Sequence, residues 1–232
     1  MVFRNWRRFI LGKGCTFYFV RHGETYFNRY MKMQGWSNTP LTKDGRFTVI
    51  RSGRGLSDIR FDAAYCSDLS RTKETLEILL EENFTSRNLK IQEMPEFREA
   101  FYGSFEGSDV DESWATISKE LGYETADEMR EKATLADRMD GTKAADPLHD
   151  AEDFLTFWLR VEKGMLQLIE KHRETDQNIL IVAHGNTIRN LLNGIVPELE
   201  MPTSVDNASV SVVNYHDGQY HLERFNDTGH FR

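Results

Sequence analysis

The sequence has little cysteine, no long apolar run and no excess of basic residues. Its two cysteines, Cys15 and Cys66, cannot form the disulfide framework of a small secreted protein. No apolar stretch approaches the ~18 residues that a membrane-spanning helix needs. The net charge of −8 argues against a general nucleic-acid-binding protein, which needs a broad basic face. The lone thiols favour a reducing compartment, so we predict a cytoplasmic location.

What remains is the composition of an ordinary globular protein. The 232 residues are 39% hydrophobic and 28% charged, which favours one large domain with a real core. Residues 1–14 contain four basic residues and no acid, so we expect a basic leader that need not be ordered, followed by a single domain over 15–232. The apolar run Phe9-Ile10-Leu11 is shorter than the roughly 7–15 residues of a signal-peptide core. Two alternatives for this leader stay open: contact with a membrane surface, and cleavage with export of the protein.

Short apolar runs alternate with helical patterns along the chain. Strands are predicted at 16–20, 61–66 and 178–183, with a closing hairpin at 209–215 and 220–225. Helices are predicted at 43–57, 71–82, 152–172 and 186–193. This order predicts a three-layer α/β/α sandwich with a mainly parallel sheet and an antiparallel edge formed by the hairpin. A helical insert (about 104–150) is expected to lie over the site.

Polar residues follow three of the predicted strands, at the edge of the sheet where α/β proteins bind ligands. The segments are Arg21-His22-Gly23-Glu24-Thr25, Ser67-Asp68-Leu69-Ser70-Arg71 and His184-Gly185-Asn186. If the strands are parallel neighbours, two histidines and two arginines meet at this edge. Arginine suits a two-point hold on phosphate or carboxylate, so the sequence predicts an anion site. A metal ion is not expected, because arginine repels cations and no HExxH or clustered Cys/His spacing occurs.

A histidine beside arginines can act as a nucleophile toward phosphorus. The arginines neutralise the phosphoryl oxygens and lower the pKa of the histidine, which keeps the imidazole neutral. We expect the second histidine to be protonated and to hold the transferring phosphoryl group. The leaving group needs a proton, and Glu99 and Glu106 lie among aromatic residues whose apolar surroundings favour a protonated carboxyl. The residues alone do not choose between these two glutamates.

Seven parts of the chain match one known pattern in the same order. They are RHGET at 21–25, Asn28, QGWSNTPLT at 34–42, SDLSRT at 67–72, the segment 99–107, VAHG at 182–185 and NASV at 207–210. In this order they resemble the histidine phosphatase superfamily, in the branch named for cofactor-dependent phosphoglycerate mutase. Asn38 stands where the family usually has Asp, and Phe47 where Gln is common. Neither position is among those that hold the phosphate.

The resemblance implies roles for individual residues. His22 would become phosphohistidine, and Glu99 would donate a proton and then activate the attacking water. Arg21, Arg71 and His184 would complete the catalytic set. The phosphate would be bound by Arg21, Asn28, Gln34, Gly35, Arg71, His184 and Gly185. No metal or organic cofactor would be needed for hydrolysis.

Phosphatases and mutases of this family share the phosphohistidine and differ in the acceptor. Ala100 and Phe101 stand where the mutases carry an Arg-His pair, whereas residues 184–189 are mutase-like. Residues 106–131 contain nine acids and two bases, and if this stretch covers the site it repels a bisphosphate. A solvated acidic helix face is the simpler interpretation. Arg138 and Lys143, just beyond, are candidates for substrate contact.

The sequence therefore predicts a metal-independent phosphoric monoester hydrolase that acts on a small phosphorylated substrate. A 2,3-bisphosphoglycerate-dependent phosphoglycerate mutase is the alternative. A protein that binds a phosphorylated ligand on the same fold without catalysis is a second alternative. No nucleic acid partner and no membrane span are expected, and the sequence does not indicate an oligomeric state.

Overall fold

The computed structural model describes residues 14–196, 199 and 204–232, and six strands of this part form one mixed sheet. In chain order the strands are β1 (Cys15–Arg21), β2 (Ala63–Cys66), β3 (Ile91–Glu93), β4 (Gln177–Ala183), β5 (Val210–His216) and β6 (Gln219–Asp227). Their order across the sheet is β3-β2-β4-β1-β5-β6. The first four are parallel, whereas β5 is antiparallel to β1 and β6 to β5. The predicted mainly parallel sheet with an antiparallel edge is confirmed.

Helices cover both faces of this sheet. The described residues form α1 (Tyr26–Arg29), α2 (Lys43–Gly55), α3 (Ser70–Glu82), α4 (Val110–Glu120), α5 (Ala126–Lys132), α6 (Leu135–Ala145), α7 (Phe154–His172) and α8 (Gly185–Ile195). Helices α2 and α3 pack on one face, and α7 and α8 on the other. The three-layer α/β/α arrangement is therefore confirmed.

The residues of β4 explain why the sheet is covered on both sides. Successive side chains of a strand point to opposite faces. Ile179 and Ile181 accordingly join the apolar cluster beneath α7 and α8, and Leu180 and Val182 join the cluster beneath α2 and α3. All four are buried, and full burial of each side chain stabilises the fold by ~1.5–3 kcal/mol.

Two local features differ from the sequence prediction. The predicted four-residue hairpin connection is wrong, because β5 continues to His216 and β6 begins at Gln219. The two remaining residues, Asp217 and Gly218, both have positive φ (53° and 78°), as in the tight turns that match the twist of a hairpin. The edge strand β3 was not predicted, since its three residues carry no apolar alternation. Thr42 caps the N-terminus of α2, because its Oγ1 accepts the N–H of Gly45 at 2.9 Å.

The insert between β3 and α7 is helical, as predicted, and contains α4, α5 and α6. Ile117, Met129 and Ala133 form a small apolar cluster of its own. The acidic side chains of α4 and α5 lie mainly on the solvent side, which leaves other residues to face the sheet. The insert thus forms a separate layer at the end of the sheet where β1 and β4 finish.

Two hydrogen bonds join Gly14, just before β1, to Asp176, just before β4. The N–H of Gly14 donates to Oδ1 of Asp176 at 3.1 Å, and the N–H of Asp176 donates to the carbonyl of Gly14 at 2.7 Å. The predicted leader otherwise lies outside the described residues. Cys15 and Cys66 are buried and unpaired, and burial raises the pKa of each thiol to about 12. None of the described helices combines the length and the apolar character needed to cross a membrane.

Candidate active site

A cavity of about 360 Å³ opens where β1 and β4 end, beneath the insert. Of the residues predicted for the site, those that line it directly are Arg21, Asn28, Gln34, Glu99 and Gly185. The others, namely His22, Arg71, His184 and Gly35, are buried around it. The three strand-end segments that the sequence singled out therefore meet at one place.

His22 follows the last residue of β1 and is only 3% exposed. Its Nδ1 lies 2.8 Å from the carbonyl oxygen of Gly23, which can only accept, so Nδ1 carries the ring proton and Nε2 keeps its lone pair. Nε of Arg71 donates toward Nε2 at 3.2 Å. Burial, followed by the charges of Arg71 and Arg21, lowers the pKa of His22 well below 6.5. The expected neutral imidazole is confirmed, with burial as the larger cause.

His184 precedes α8, and its ring centre lies 5.2 Å from that of His22. Its Nε2 is 2.8 Å from Oγ of Ser67, while its buried Nδ1 has no hydrogen-bond partner among the described residues. Burial, followed by the charge of Arg71, lowers the pKa of His184 well below 6.5. Burial thus disfavours the imidazolium, and the expectation that His184 is protonated while it holds a phosphoryl group stays a prediction.

Arg71, in the first turn of α3, is fully buried and held by oxygen atoms of one loop. Its Nη2 donates to the carbonyl of Gly35 at 2.6 Å, and its Nη1 to the carbonyl of Ser37 at 2.9 Å. Burial lowers the pKa of Arg71 to about 10, which leaves the guanidinium charged at neutral pH. The loop thus fixes a cation beside Nε2 of His22.

The same loop requires glycine at position 35. A Cβ atom there would lie 2.2 Å from both the carbonyl oxygen of Ala100 and Oε1 of Glu106. The carboxylate of Glu106 accepts four backbone N–H groups, those of Gly35, Trp36, Ser37 and Tyr102, at 2.9–3.2 Å. Glu106 therefore holds the loop that positions Arg71, and it does not line the cavity.

Glu99 lines the cavity with its carboxylate at the first turn of α8. Oε1 accepts the N–H groups of Ala100 (3.0 Å) and Thr187 (3.1 Å), and Oε2 accepts that of Asn186 (3.0 Å). The expectation of apolar surroundings is therefore wrong, since backbone donors hold both oxygens. Of the two candidate glutamates, only Glu99 faces the cavity.

Two residues without a predicted role hold the backbone of Glu99. Its carbonyl oxygen accepts Nη2 of Arg160 and Nε1 of Trp36, both at 2.9 Å. Arg160 also forms a two-point ion pair with Glu152, with both contacts at 2.7 Å. In the sequence Arg160 looks like any charged residue of an amphipathic helix, so no local signal could have identified it.

The other residues predicted to bind the phosphate differ in whether their polar atoms already have hydrogen-bond partners within the protein. Nη1 of Arg21 donates to the carbonyl of Val205 at 2.6 Å, while its buried Nε has no hydrogen-bond partner among the described residues. Oδ1 of Asn28 accepts the N–H of Thr25 at 3.2 Å. The amide of Gln34 is occupied by two threonine hydroxyls. Gly185 lies against Arg21, since a Cβ atom there would be 3.3 Å from Nε of the arginine.

The side of the cavity that the insert provides is apolar and cationic. It consists of Val110, Trp114, Met129, Arg130 and Arg138. No acid of the stretch 106–131 lines the cavity, which agrees with the simpler interpretation of these acids as a solvated helix face, and the conditional expectation that they repel a bisphosphate gains no support from the lining. Lys143 pairs with Asp153 at 2.7 Å and does not reach the cavity either. Among the described lining residues, the cations are Arg21, Lys32, Arg130, Arg138 and Arg189, and Glu99 is the only acid.

The described part of the chain contains no cluster of three or more His, Cys, Asp or Glu residues that could hold a metal ion. The polar groups around the cavity are instead those that bind an anion: guanidinium groups, imidazoles and the first turn of a helix.

Comparison with known proteins agrees with this geometry. A model of the histidine phosphatase superfamily (branch 1) matches residues 17–228. The chain is 28% identical over 214 residues to the uncharacterized phosphatase PhoE of Bacillus subtilis, covering 91% of this chain and 94% of that protein. It is 29% identical over 179 residues to a 2,3-bisphosphoglycerate-dependent phosphoglycerate mutase of Bartonella henselae, covering 76% and 79%. The crystal structure of a phosphoglycerate mutase from Bacillus anthracis superposes with a TM-score of 0.90 at 32% identity, covering 95% and 96%.

Proposed function

The chain belongs to the histidine phosphatase superfamily (branch 1), and we propose that it is a metal-independent phosphomonoester hydrolase that acts through a phosphohistidine on His22. The observation that carries this proposal is the state of the His22 ring. Its Nδ1 proton is donated to the Gly23 carbonyl, so Nε2 keeps its lone pair, which accepts Nε–H of Arg71 and is released for attack when a phosphoryl oxygen takes that donor. A neutral imidazole in this setting is a nucleophile directed at a bound phosphoryl group.

In the first step Nε2 of His22 attacks phosphorus and the bond from phosphorus to the ester oxygen breaks. The guanidinium groups of Arg21 and Arg71 neutralise the non-bridging oxygens. Glu99 lines the same cavity and donates its proton to the departing oxygen.

His184 takes a role that depends on the bound anion. Its Nδ1 is buried without a partner among the described residues. A bound phosphoryl group brings negative charge, which favours the imidazolium form of His184. A phosphoryl oxygen can then accept a hydrogen bond from the protonated Nδ1. We therefore assign His184 to the stabilisation of the transferring phosphoryl group, with its proton arriving together with the anion.

In the second step water replaces the imidazole. The carboxylate of Glu99, now without its proton, takes a proton from a water molecule. The water oxygen bonds to phosphorus, the phosphorus–nitrogen bond breaks, and its electron pair returns to Nε2 of His22. Inorganic phosphate leaves, and the histidine and the glutamic acid are restored.

The substrate in this proposal is a small phosphorylated molecule. The volume of about 360 Å³ fits a compact phosphate ester, and the cationic lining favours one that carries further negative charge. The cytoplasmic location stays a prediction from the two unpaired thiols.

A mutase is the second candidate, and the cationic wall favours it. Lys32, Arg130 and Arg138 line the cavity together, as a substrate with two anionic groups requires. Against it stand Ala100 and Phe101, at the positions of the Arg-His pair of the mutases. Ala100 is buried and the ring of Phe101 packs on Trp36 at 4.9 Å, so neither supplies a cation. Hydrolysis is therefore the activity we propose.

A phosphorus NMR time course distinguishes the two candidates. The protein is incubated in EDTA with 3-phosphoglycerate and a trace of 2,3-bisphosphoglycerate, and then with p-nitrophenyl phosphate. We expect inorganic phosphate to accumulate. A 2-phosphoglycerate signal without inorganic phosphate identifies a mutase, and no reaction with either substrate contradicts both candidates. His22→Ala is the control, and it should produce neither signal.

A further inference from the structure

The turn formed by residues 205–209 holds Arg21 and His22. The carbonyl of Val205 accepts Nη1 of Arg21 at 2.6 Å. The N–H of Ala208 donates to the backbone carbonyl of Arg21 at 3.0 Å. Nδ2 of Asn207 donates to the carbonyl of His22 at 2.8 Å. The position of the arginine and of the histidine backbone thus depends on the shape of this turn.

The turn contains a residue in an unfavourable backbone conformation. Ala208 has a φ of 60°, a left-handed value that residues other than glycine rarely adopt. The residue is completely buried. Such a conformation persists only where neighbouring groups fix it. Oγ of Ser52, in α2, is one of these groups, because it donates to the carbonyl of Ala208 at 2.8 Å.

His230 completes this connection from the other end of the chain. Its Nε2 lies 2.8 Å from Oγ of Ser52. The single hydroxyl proton of Ser52 is given to Ala208, so the serine oxygen accepts Nε2–H of His230. The hydrogen bonds therefore run without a break from His230 through Ser52 to Ala208, and from Ala208 to Arg21.

The backbone around His230 is fixed on α2. A Cβ atom at Gly55 would lie 1.9 Å from the carbonyl oxygen of His230, so this close approach requires glycine. The N–H of Arg232 donates to the carbonyl of Arg51 at 3.1 Å, and the ring of Phe231 packs against the core beneath α2. His230 is almost completely buried as a result. Nothing in this setting serves substrate binding directly, because His230 does not line the cavity.

We propose that His230 is a positioning residue for the phosphate pocket, which acts through Ser52 and Ala208 to fix the turn that holds Arg21. The proposal rests on the proposed function only in taking the pocket to bind a phosphoryl group. Loss of the Nε2–H donor leaves Ser52 free to rotate away from Ala208. The turn can then relax from its left-handed conformation, and the guanidinium of Arg21 moves with the carbonyl of Val205.

The expected effect is a loss of affinity for the phosphoryl group. A displacement of about 1 Å in a positioning group can lower a rate by up to ~100-fold, so we expect His230→Ala and Ser52→Ala each to weaken orthophosphate binding and kcat/KM by about tenfold or more. The double variant should be hardly worse than either single variant, because both remove the same connection. His230→Gln should recover most of the affinity, since its amide N–H extends to about the position of Nε2.

The test is calorimetric titration with orthophosphate, with kcat/KM for p-nitrophenyl phosphate measured in parallel. Arg232→Ala is the matched control: Arg232 is a neighbour whose exposed side chain pairs with Asp58 at 3.4 Å, and its substitution should leave both values unchanged. Thermal unfolding is recorded for each variant. If His230→Ala lowers the unfolding temperature but leaves orthophosphate affinity at the wild-type value, His230 is merely structural and the proposal is overturned.

The orthophosphate measurement also separates this proposal from the proposed function. A wild-type protein that binds orthophosphate without hydrolysing esters contradicts the hydrolase, while the effect of His230→Ala on binding still supports or overturns the positioning role. Additive losses in the double variant, or no recovery with His230→Gln, count against the proposal. A wild-type protein that does not bind orthophosphate contradicts both.

Discussion

Nε of Arg71 lies 3.2 Å from Nε2 of His22, so an arginine N–H group points at the one ring nitrogen of His22 that has no proton. The charge of Arg71 lowers the pKa of His22 beyond the effect of burial. The same guanidinium is placed to neutralise an oxygen of a phosphoryl group that approaches Nε2. In the proposed mechanism, Arg71 thus supports both the nucleophile and the group it attacks.

We predict that Arg71→Lys lowers kcat/KM for p-nitrophenyl phosphate by about 10²–10³-fold, the usual effect of removing a donor aimed at developing charge. Lysine keeps the charge but cannot reproduce the planar set of N–H donors that contacts Gly35, Ser37 and His22 together. Lys73→Gln is the control, because Lys73 is an exposed residue of the same helix that pairs with Glu93. Wild-type activity in Arg71→Lys contradicts the assignment.

We predict that His22→Ala removes the phosphoenzyme and lowers kcat/KM by at least ~10²–10⁴-fold, as is typical when a positioned histidine is lost. Substrate labelled with ³²P is mixed with the protein and quenched in alkali, where phosphohistidine survives better than a phosphate ester of serine. The label should stay on the wild-type protein and be absent from His22→Ala. Full activity in His22→Ala would falsify the proposed mechanism.

The sequence was sufficient to predict that His22 and His184 lie close together, because each histidine follows a predicted strand. Short apolar runs identified β1 and β4, and the ends of parallel strands meet at one edge whatever the details of packing. His22 and His184 follow these two strands directly, so their proximity could be predicted without knowing any contact. Their burial could not be predicted, since it depends on how α8 and the loops close over them.

We predict that Glu99→Gln and Glu106→Gln affect kcat/KM and the unfolding temperature in different ways. Glu99→Gln should lower kcat/KM for an alkyl phosphate far more than for p-nitrophenyl phosphate, whose leaving group needs no proton. Glu106→Gln should affect both substrates equally and lower the unfolding temperature, because it weakens hydrogen bonds to four backbone N–H groups. Equal losses on the two substrates in Glu99→Gln contradict its role as the acid.

We predict that His184 makes folding less favourable in acid. Burial lowers its pKa well below 6.5 in the folded protein, whereas the unfolded chain has the ordinary value of about 6.5. The unfolded state therefore binds more protons as the pH falls below this value, and the contribution of His184 to stability is complete above it and shrinks by up to ~1.4 kcal/mol per pH unit below it.

Urea unfolding between pH 7.5 and pH 5 measures this effect. The wild-type protein should lose more stability across the interval than His184→Gln, because glutamine does not titrate. His149→Gln serves as the control for a histidine-to-glutamine substitution at an exposed position. If the free energy of unfolding changes equally with pH in the wild type and in His184→Gln, the buried imidazole of His184 is not the source of the acid sensitivity.

The sequence could not predict which side of the insert faces the cavity. Residues 106–131 are strongly acidic as a set, yet Arg130 lines the cavity and none of the acids does. A net charge counts residues without their direction, whereas the field inside a cavity depends on the few side chains that line it. The residues alone could not choose between Glu99 and Glu106 for the same reason, because both lie in one aromatic segment and only their contacts separate them.

We predict that Arg130 contributes to the recognition of substrates with a second negative charge. Arg130→Gln should lower kcat/KM for 3-phosphoglycerate by up to about fivefold, the limit expected for an exposed charge pair, and leave p-nitrophenyl phosphate almost unchanged. Lys132→Gln is the matched control, because both residues lie on α5 and pair with an acid of the same helix, but only Arg130 lines the cavity. The effect of Arg130→Gln should shrink as salt is added, since exposed charges are screened. If both substitutions lower kcat/KM for 3-phosphoglycerate equally, the effect comes from the overall surface charge. That result would contradict direct contact between Arg130 and the substrate.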